Sequence, residues 1–182
     1  SQLVDSSSGI HPRHSEFYIR SVRGDNKDPM THFLKSAGVP WEPCVMKPDT
    51  TVVFYFPQKA PDGATTRDEV TAISHLNLWK KYNEIWSEHQ VSVTVSVKEE
   101  EWIEVADWVY KHFDEITGIS FLPFDDHSYR QAPYTACSEQ EYNDAVAKMP
   151  ARLDWSLLRD FEKEDTTTGV QTLACQGGIC EI

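Results

Sequence analysis

Two cysteines, Cys175 and Cys180, lie five positions apart near the end of the 182-residue sequence, in "LACQGGICEI". The four residues between them include Gly177 and Gly178. A disulfide requires Cα atoms within about 7 Å, and a glycine pair removes the steric obstacles to the turn that would bring them together. Such a bond on a loosely held segment exchanges readily with an incoming thiolate. The stretch from Asp165 to Cys175 could extend about 34 Å at ~3.4 Å per residue, enough to visit a buried site and return to solvent. The chemistry suggested is that of a thiol shuttle. Half of a zinc site and an idle pair remain alternatives. Zinc takes four ligands, no histidine lies in this segment, and the nearest, His127, is distant in sequence. Cys44 and Cys137 are isolated and read as small buried or loop residues. In "GIHPRHS", His11 and His14 lie in a Gly/Pro turn and read first as loop residues, with Arg13 a candidate neighbour of a phosphate.

The remaining composition narrows the partners. A chain 40% hydrophobic and 12% aromatic can bury a core. Its formal net charge of -12 argues against a nucleic-acid polymer or an anionic membrane as the main partner, since both need a basic surface. A small phosphorylated ligand is compatible, because backbone N–H groups and a few local cations can hold one. No apolar run approaches the ~18 residues of a membrane span, and the first residues do not form a secretory signal. The compartment expected is the reducing cytoplasm, where a clustered cysteine pair is redox-active or metal-binding sooner than structural. The first residue, Ser1, is not a methionine; removal of an initiator methionine before a small serine and a chain that begins mid-fold both account for this, and the organisation of the strands favours the second.

The elements that must position these residues follow from periodicity. Glu16–Val22 reads as a strand, "MTHFLKSAG" as a short helix closed by Gly38, and Pro40–Pro48 as a rigid loop. Thr50–Phe56 is a continuous β-branched and aromatic run, as in a strand buried on both faces. Thr66 and Glu69 match a capping box and predict a helix running to about His89. Its apolar face would carry Val70, Ile73, Leu76, Trp79 and Trp86. Val91–Val97 is a strand, Glu99–Ile116 a helix, and Ile119–Phe124 a strand after Gly118. The Glu99–Glu101 run suits the positive end of a helix dipole and reads as solvated. Strand, helix and strand within so few residues predict a βαβ unit with parallel strands. Gln131–Tyr134 reads as a loop, with helices expected over Ser138–Met149 and Leu153–Phe161. The six tryptophans read as core and packing residues. Residues 1–162 form the folded part and 163–182 a flexible tail. A parallel sheet this small would expose its edges, so the fold expected is part of a larger α/β sheet.

Together these stretches resemble the C-terminal part of a ribonucleotide reductase, most closely the adenosylcobalamin-dependent class II. "SQLVDSSSGIHPRHS" resembles the segment that begins in the substrate-phosphate loop. "SVTVSV" with "EEEWIEVADWVYKHFDEITGISFLP" resembles the last strand–helix–strand of the catalytic barrel. "RSVRGDNKDP" and "DTTVVFYFPQKAP" are similar to class II linking segments, and "ACQGGICEI" to the tail dithiol. The fold implied is the C-terminal portion of a ten-stranded α/β barrel whose other strands lie upstream. The activity implied is conversion of ribonucleotides, as triphosphates, to deoxyribonucleotides by thiyl-radical chemistry.

Several roles follow from that resemblance. Cys175 and Cys180 match the pair that re-reduces the active-site disulfide and is itself reduced by a thioredoxin-like donor. Ser1 matches the last residue of the phosphate loop. Adenosylcobalamin would be bound mainly with the upstream part, which would also carry the radical cysteine, so this chain alone is expected to be inactive. No residue here is assigned to the cofactor or to a metal. Phe121 and Leu122 occupy the places where class I reductases carry a tyrosine pair, and without phenols there is no proton-coupled relay. A non-enzymatic dithiol redox adaptor and a zinc-binding interaction module are the alternatives from other classes. The "SQLVDSSSGIHPR" segment speaks against an adaptor, which has no need of a phosphate-loop remnant.

Overall fold

The structure, a computed structural model, describes residues 9–124 and 129–163. In chain order the strands are β1 (Phe17–Asp25), β2 (Trp41–Pro43), β3 (Thr51–Lys59), β4 (Val93–Val97), β5 (Ile119–Pro123) and β6 (Tyr134–Ala136). The helices are α1 (Pro29–Ser36), α2 (Ala72–Lys81), α3 (Trp102–Lys111), α4 (Glu139–Ala147) and α5 (Leu158–Phe161). One sheet has the order β2-β3-β1-β6; the other is the pair β4-β5. The described residues fall into two compact units. The first holds 9–18, 58–124 and 134–138; the second holds 19–57, 129–133 and 139–163. The fold is mixed α/β with open sheets.

In the first unit the sequence pattern translates directly. Val93, Val95 and Val97 alternate inward along β4. β5 pairs with β4 in parallel, from Val93 opposite Ile119 to Val97 opposite Pro123, and α3 makes the crossover between them, as the βαβ pattern predicts. The core joins Leu76 and Trp79 of α2 to the three β4 valines and to Val105 and Trp108 of α3. Trp79 is fully buried, and its indole N–H donates to the Val91 carbonyl at 2.8 Å. The Trp108 indole donates to Asn77 Oδ1 at 3.0 Å.

Three expectations about this unit need correction. The Thr66–Glu69 box forms, with the Thr66 N–H donating to Glu69 Oε2 at 2.7 Å, but it closes a turn and opens no helix. α2 begins after Thr71, whose Oγ1 accepts from the Ser74 N–H at 3.1 Å. The predicted helix is also too long. α2 ends at Lys81 and widens into a π-turn over Tyr82–Trp86, which rotates the next side chains off the buried face. Trp86 is thus 81% exposed whereas Leu76 and Trp79 are 0% exposed. The third correction concerns the acidic run. Glu99 and Glu100 are exposed, but the Glu101 carboxylate accepts from the Lys98 N–H at 2.9 Å and from the Ala72 N–H at 3.0 Å. It ties the first turn of α2 to the start of α3. The predicted Glu99–Ile116 helix is built in pieces, with 3-10 turns at Glu99–Glu101 and Phe113–Glu115 flanking α3.

The second unit has its own core of Phe33, Leu34, Val39, Val52 and Phe54. α1 starts where Asp28 caps the Met30 N–H at 3.0 Å and Pro29 fills the first helical position. Three successive β3 residues, Val52 to Phe54, are buried, in keeping with a strand covered on both faces. Part of the predicted proline loop is instead β2, antiparallel to β3 with Trp41 opposite Phe54 and Pro43 opposite Val52. A proline is tolerated there because β2 is an edge strand and the missing donor faces no ladder. The parallel pairing expected of the βαβ unit is found between β4 and β5, and β2 adds an antiparallel pair that the sequence reading did not foresee. The tryptophans divide as well: Trp79 and Trp108 are core, whereas Trp41, Trp86 and Trp155 are exposed.

In the expected loop, Tyr134 already belongs to β6. Gln131 adopts a left-handed backbone, φ 61°, and its side chain is 7% exposed. The amide Nε2 donates to Glu42 Oε1 at 2.6 Å and to the Pro43 carbonyl at 2.8 Å, and Oε1 accepts from the Val45 N–H at 2.8 Å. Tyr55 adds a phenol donor to the same Glu42 oxygen at 2.6 Å. These bonds hold the Glu42 carboxyl below the usual carboxylate range, while burial and then the hydrogen bond to Glu42 push the Tyr55 phenol up to about 12.

Candidate functional site

The residues for which the sequence suggested chemistry fall in two places. Cys175, Cys180, Ser1 and His127 lie outside the described residues. His11, Arg13 and His14 are brought together in the first unit, at a cleft of about 760 Å³ and a smaller adjoining hollow of about 200 Å³.

A turn at Gly9, φ 67°, leads into the segment that forms the wall. Its backbone is stitched to the following loop: the Arg13 N–H donates to the Thr65 carbonyl at 2.9 Å, and the Arg67 N–H to the Arg13 carbonyl at 2.8 Å. His11 Nε2 accepts from the Thr94 N–H of β4 at 3.2 Å, so that nitrogen presents a lone pair. The His14 ring stacks on Tyr134, centroids 5.7 Å apart. The Arg67 guanidinium rests on the Phe124 ring at 4.9 Å.

His75, in the first turn of α2, lines both hollows. It is 4% exposed, and its ring meets His11 edge-on at 5.7 Å. One ring nitrogen bonds to the Ile10 backbone. The other, Nε2, is buried and has no hydrogen-bond partner among the described residues. The bond to Ile10 therefore falls to Nδ1. Burial, and then the charge that His11 can carry, hold the His75 imidazole below its ordinary value, so the ring is neutral near pH 7. An uncharged imidazole with an unused nitrogen thus stands in the wall of a cleft. Sequence reasoning found the His11–His14 segment but missed His75, Arg67 and Tyr134. No spacing links them; they converge only when α2, β4 and β6 pack. His75 carried one signal, a polar residue on the predicted buried face between Ile73 and Leu76.

The other candidates are accounted for locally. Cys44 is buried. Burial opposes its ionisation, but the Lys47 and Met46 backbone N–H groups and Arg23 outweigh burial and hold the thiol below its ordinary value. Cys44 carries a free thiol, and Cys137 is half-buried. Phe121 packs against the first unit's core and Leu122 is 41% exposed. Among the described residues no cluster of three or more His, Cys, Asp or Glu is placed to hold a metal, and no helix is long and apolar enough to cross a membrane.

No protein-family model matches the chain. Curated relatives nevertheless cover it end to end. An adenosylcobalamin-dependent ribonucleoside-triphosphate reductase of Euglena gracilis is 29% identical over 182 residues, 99% of this chain and 25% of the relative. A probable enzyme of the same name from Dictyostelium discoideum is 29% identical over 100% of this chain and 24% of the relative. One from Lactobacillus gasseri is 25% identical over 100% of this chain and 25% of the relative. The crystal structure of a B12-dependent (class II) ribonucleotide reductase superposes with a TM-score of 0.69 at 21% identity, over 87% of this chain and 22% of that one. The chain resembles adenosylcobalamin-dependent, class II ribonucleotide reductases along its whole length. It spans about a quarter of the length of the curated relatives it matches.

Proposed function

We propose that this chain is the C-terminal segment of an adenosylcobalamin-dependent ribonucleotide reductase that converts ribonucleoside triphosphates to deoxyribonucleotides in the cytoplasm. The observation that carries this reading is the end-to-end match to curated reductases of that name. The superposition on a class II reductase supports the fold. A free-standing dithiol adaptor or a zinc module would have no reason to align over its full length with a reductase.

The segment's contributions are barrel strands, the end of the substrate-phosphate loop at Ser1, and the tail pair Cys175 and Cys180. The tail works as a dithiol. One thiolate attacks the oxidised active-site pair, a mixed disulfide forms, and the second thiol resolves it. Two electrons and two protons pass to the active-site cysteines, and the tail leaves as the disulfide. A thioredoxin-like donor, too large to enter an enclosed radical site, returns the tail to the dithiol in solution. Tethering keeps the local thiol concentration high. Adenosylcobalamin, when bound, supplies the radical by cobalt–carbon homolysis. No described residue is assigned to that cofactor, which would be bound mainly with the upstream part. The binding partner is the upstream part of the reductase, which carries the radical cysteine.

The test is reconstitution with that upstream part, adenosylcobalamin and a ribonucleoside triphosphate, with deoxyribonucleotide measured as product. Cys175→Ser or Cys180→Ser should stop repeated turnover with thioredoxin, leave the first turnover from a pre-reduced site intact, and be rescued in part by dithiothreitol. Failure of the assembled protein to form any deoxyribonucleotide would overturn the reductase reading. Variants that cycle normally with thioredoxin would overturn the shuttle.

A further inference from the structure

Acidic residues outnumber basic ones by 29 to 17 in this chain, yet none of the described residues that line either hollow of the first unit is acidic. The two hollows are lined instead by His11, Arg13, His14, Arg67, His75 and Lys81. Chance would place several carboxylates in so long a lining on so acidic a surface. The fixed charges among the described lining residues are those of Arg13, Arg67 and Lys81, in a molecule of formal net charge -12.

The second observation is His75. It is 4% exposed, and a buried polar atom without a partner costs free energy unless something bonds to it. Nδ1 is engaged with the Ile10 backbone, and Nε2 has no hydrogen-bond partner among the described residues. His75 belongs to the stretch of wall that the two hollows share, together with His11, Pro12 and Val70. Ser74 adds a hydroxyl to the larger cleft; Thr94 and Ser96 line the smaller one. An imidazole nitrogen accepts from a protonated phosphate oxygen, or takes a proton and donates to an ionised one. It can therefore serve either form of a phosphoryl group, while flanking guanidinium and ammonium groups supply charge.

We propose that this cleft is a binding site for the phosphoryl group of a small ligand, with His75 Nε2 as its buried hydrogen-bonding contact and Lys81 at its rim. The site is built wholly from described residues of the first unit and does not depend on the reductase reading. The same chemistry would serve a nucleotide or a free polyphosphate.

The experiment titrates the full chain with inorganic tripolyphosphate, with a ribonucleoside triphosphate, and with adenosine as a neutral control. Affinity is read by calorimetry, and the His75 imidazole by its ¹⁵N signals. Both polyanions should bind while adenosine does not, and the His75 Nε2 signal should shift on binding. Lys81 is exposed, so Lys81→Glu should leave the fold intact and weaken binding by at least about tenfold, since it replaces an attraction by a repulsion. His75→Asn should weaken binding without changing the circular dichroism spectrum. A triphosphate at least about tenfold tighter than tripolyphosphate would identify a nucleotide as the source; equal affinities would identify the polyphosphate moiety. Absence of binding at millimolar tripolyphosphate, unchanged affinity in Lys81→Glu, or an unmoved His75 signal would each overturn the proposal. Because tripolyphosphate has no ribose to reduce, that failure would leave the reductase assignment standing.

Discussion

Two buried polar side chains, one in each unit, are treated in opposite ways. Gln131 of the second unit sits on a left-handed backbone, and its amide is bonded on both ends, to Glu42, Pro43 and Val45. His75 of the first unit sits on an ordinary helix, and one of its two nitrogens has no partner among the described residues. A group satisfied several times over by its own fold is a structural lock. A group left unsatisfied in a cleft wall invites a ligand. The contrast extends to the surroundings. In the second unit one carboxylate, Glu42, collects donors from Tyr55 and Gln131. In the first, cations and histidines line the cleft, and among the described residues no carboxylate joins them.

The largest effect expected is on the core that carries the cleft. Trp79→Ala removes a 0% exposed indole and its bond to Val91, and should cost about 3–5 kcal/mol. Hydrogen exchange at the β4 amides would report it. A loss below about 1 kcal/mol would mean that Trp79 is not the keystone of the first unit.

Gln131→Ala comes next. It strands the Val45 N–H and removes two donors from Glu42 and Pro43, and alanine gains nothing from the left-handed backbone. The expected loss is about 2–3 kcal/mol in denaturant unfolding. Gln131→Gly, which relieves the backbone but not the lost bonds, should recover only a fraction. If glycine restored full stability, the lock would be conformational and the contrast with His75 would weaken.

The smallest effect is the acid response of His75. Its imidazole is held below its ordinary value in the folded protein, so on acidification the unfolded chain takes up a proton first. Stability should be fully present above the unfolded imidazole value of ~6.5 and decline as pH falls below it. The denaturant midpoint should fall between about pH 7.5 and pH 5.5, and His75→Asn should flatten part of that slope. A slope identical in the variant would show that His75 takes up its proton in the folded chain without penalty, and the comparison with Gln131 would lose its basis.

Much of the fold was legible in the residues. Valines at alternate positions over 93–97, helical spacing through Val105, and Gly118 before Ile119 together specify strand, helix and parallel strand, because each signal is local and they agree. Gly38 likewise marks the close of α1. The resemblance to class II reductases was also carried by the sequence, in segments spread from residue 1 to residue 182. Cys175 and Cys180, with Ser1, remain sequence readings, since they lie outside the described residues.

Other features were decided only in three dimensions. Thr66 and Thr71 offer the same capping chemistry, and local energies of about 1 kcal/mol each do not separate them. The choice goes to Thr71 because the helix that follows it buries Ala72, Leu76 and Trp79 together. Trp86 continues the apolar pattern of α2 but is turned outward by the π-turn, which no local spacing announces. The cleft is the extreme case. His11, Arg67, His75, Thr94 and Tyr134 are scattered over more than a hundred positions. Hydrophobic periodicity states which face of each element turns inward, but it is blind to which polar groups from different elements will meet. That meeting depends on the packing of whole elements, a long-range property that a sequence read window by window does not contain.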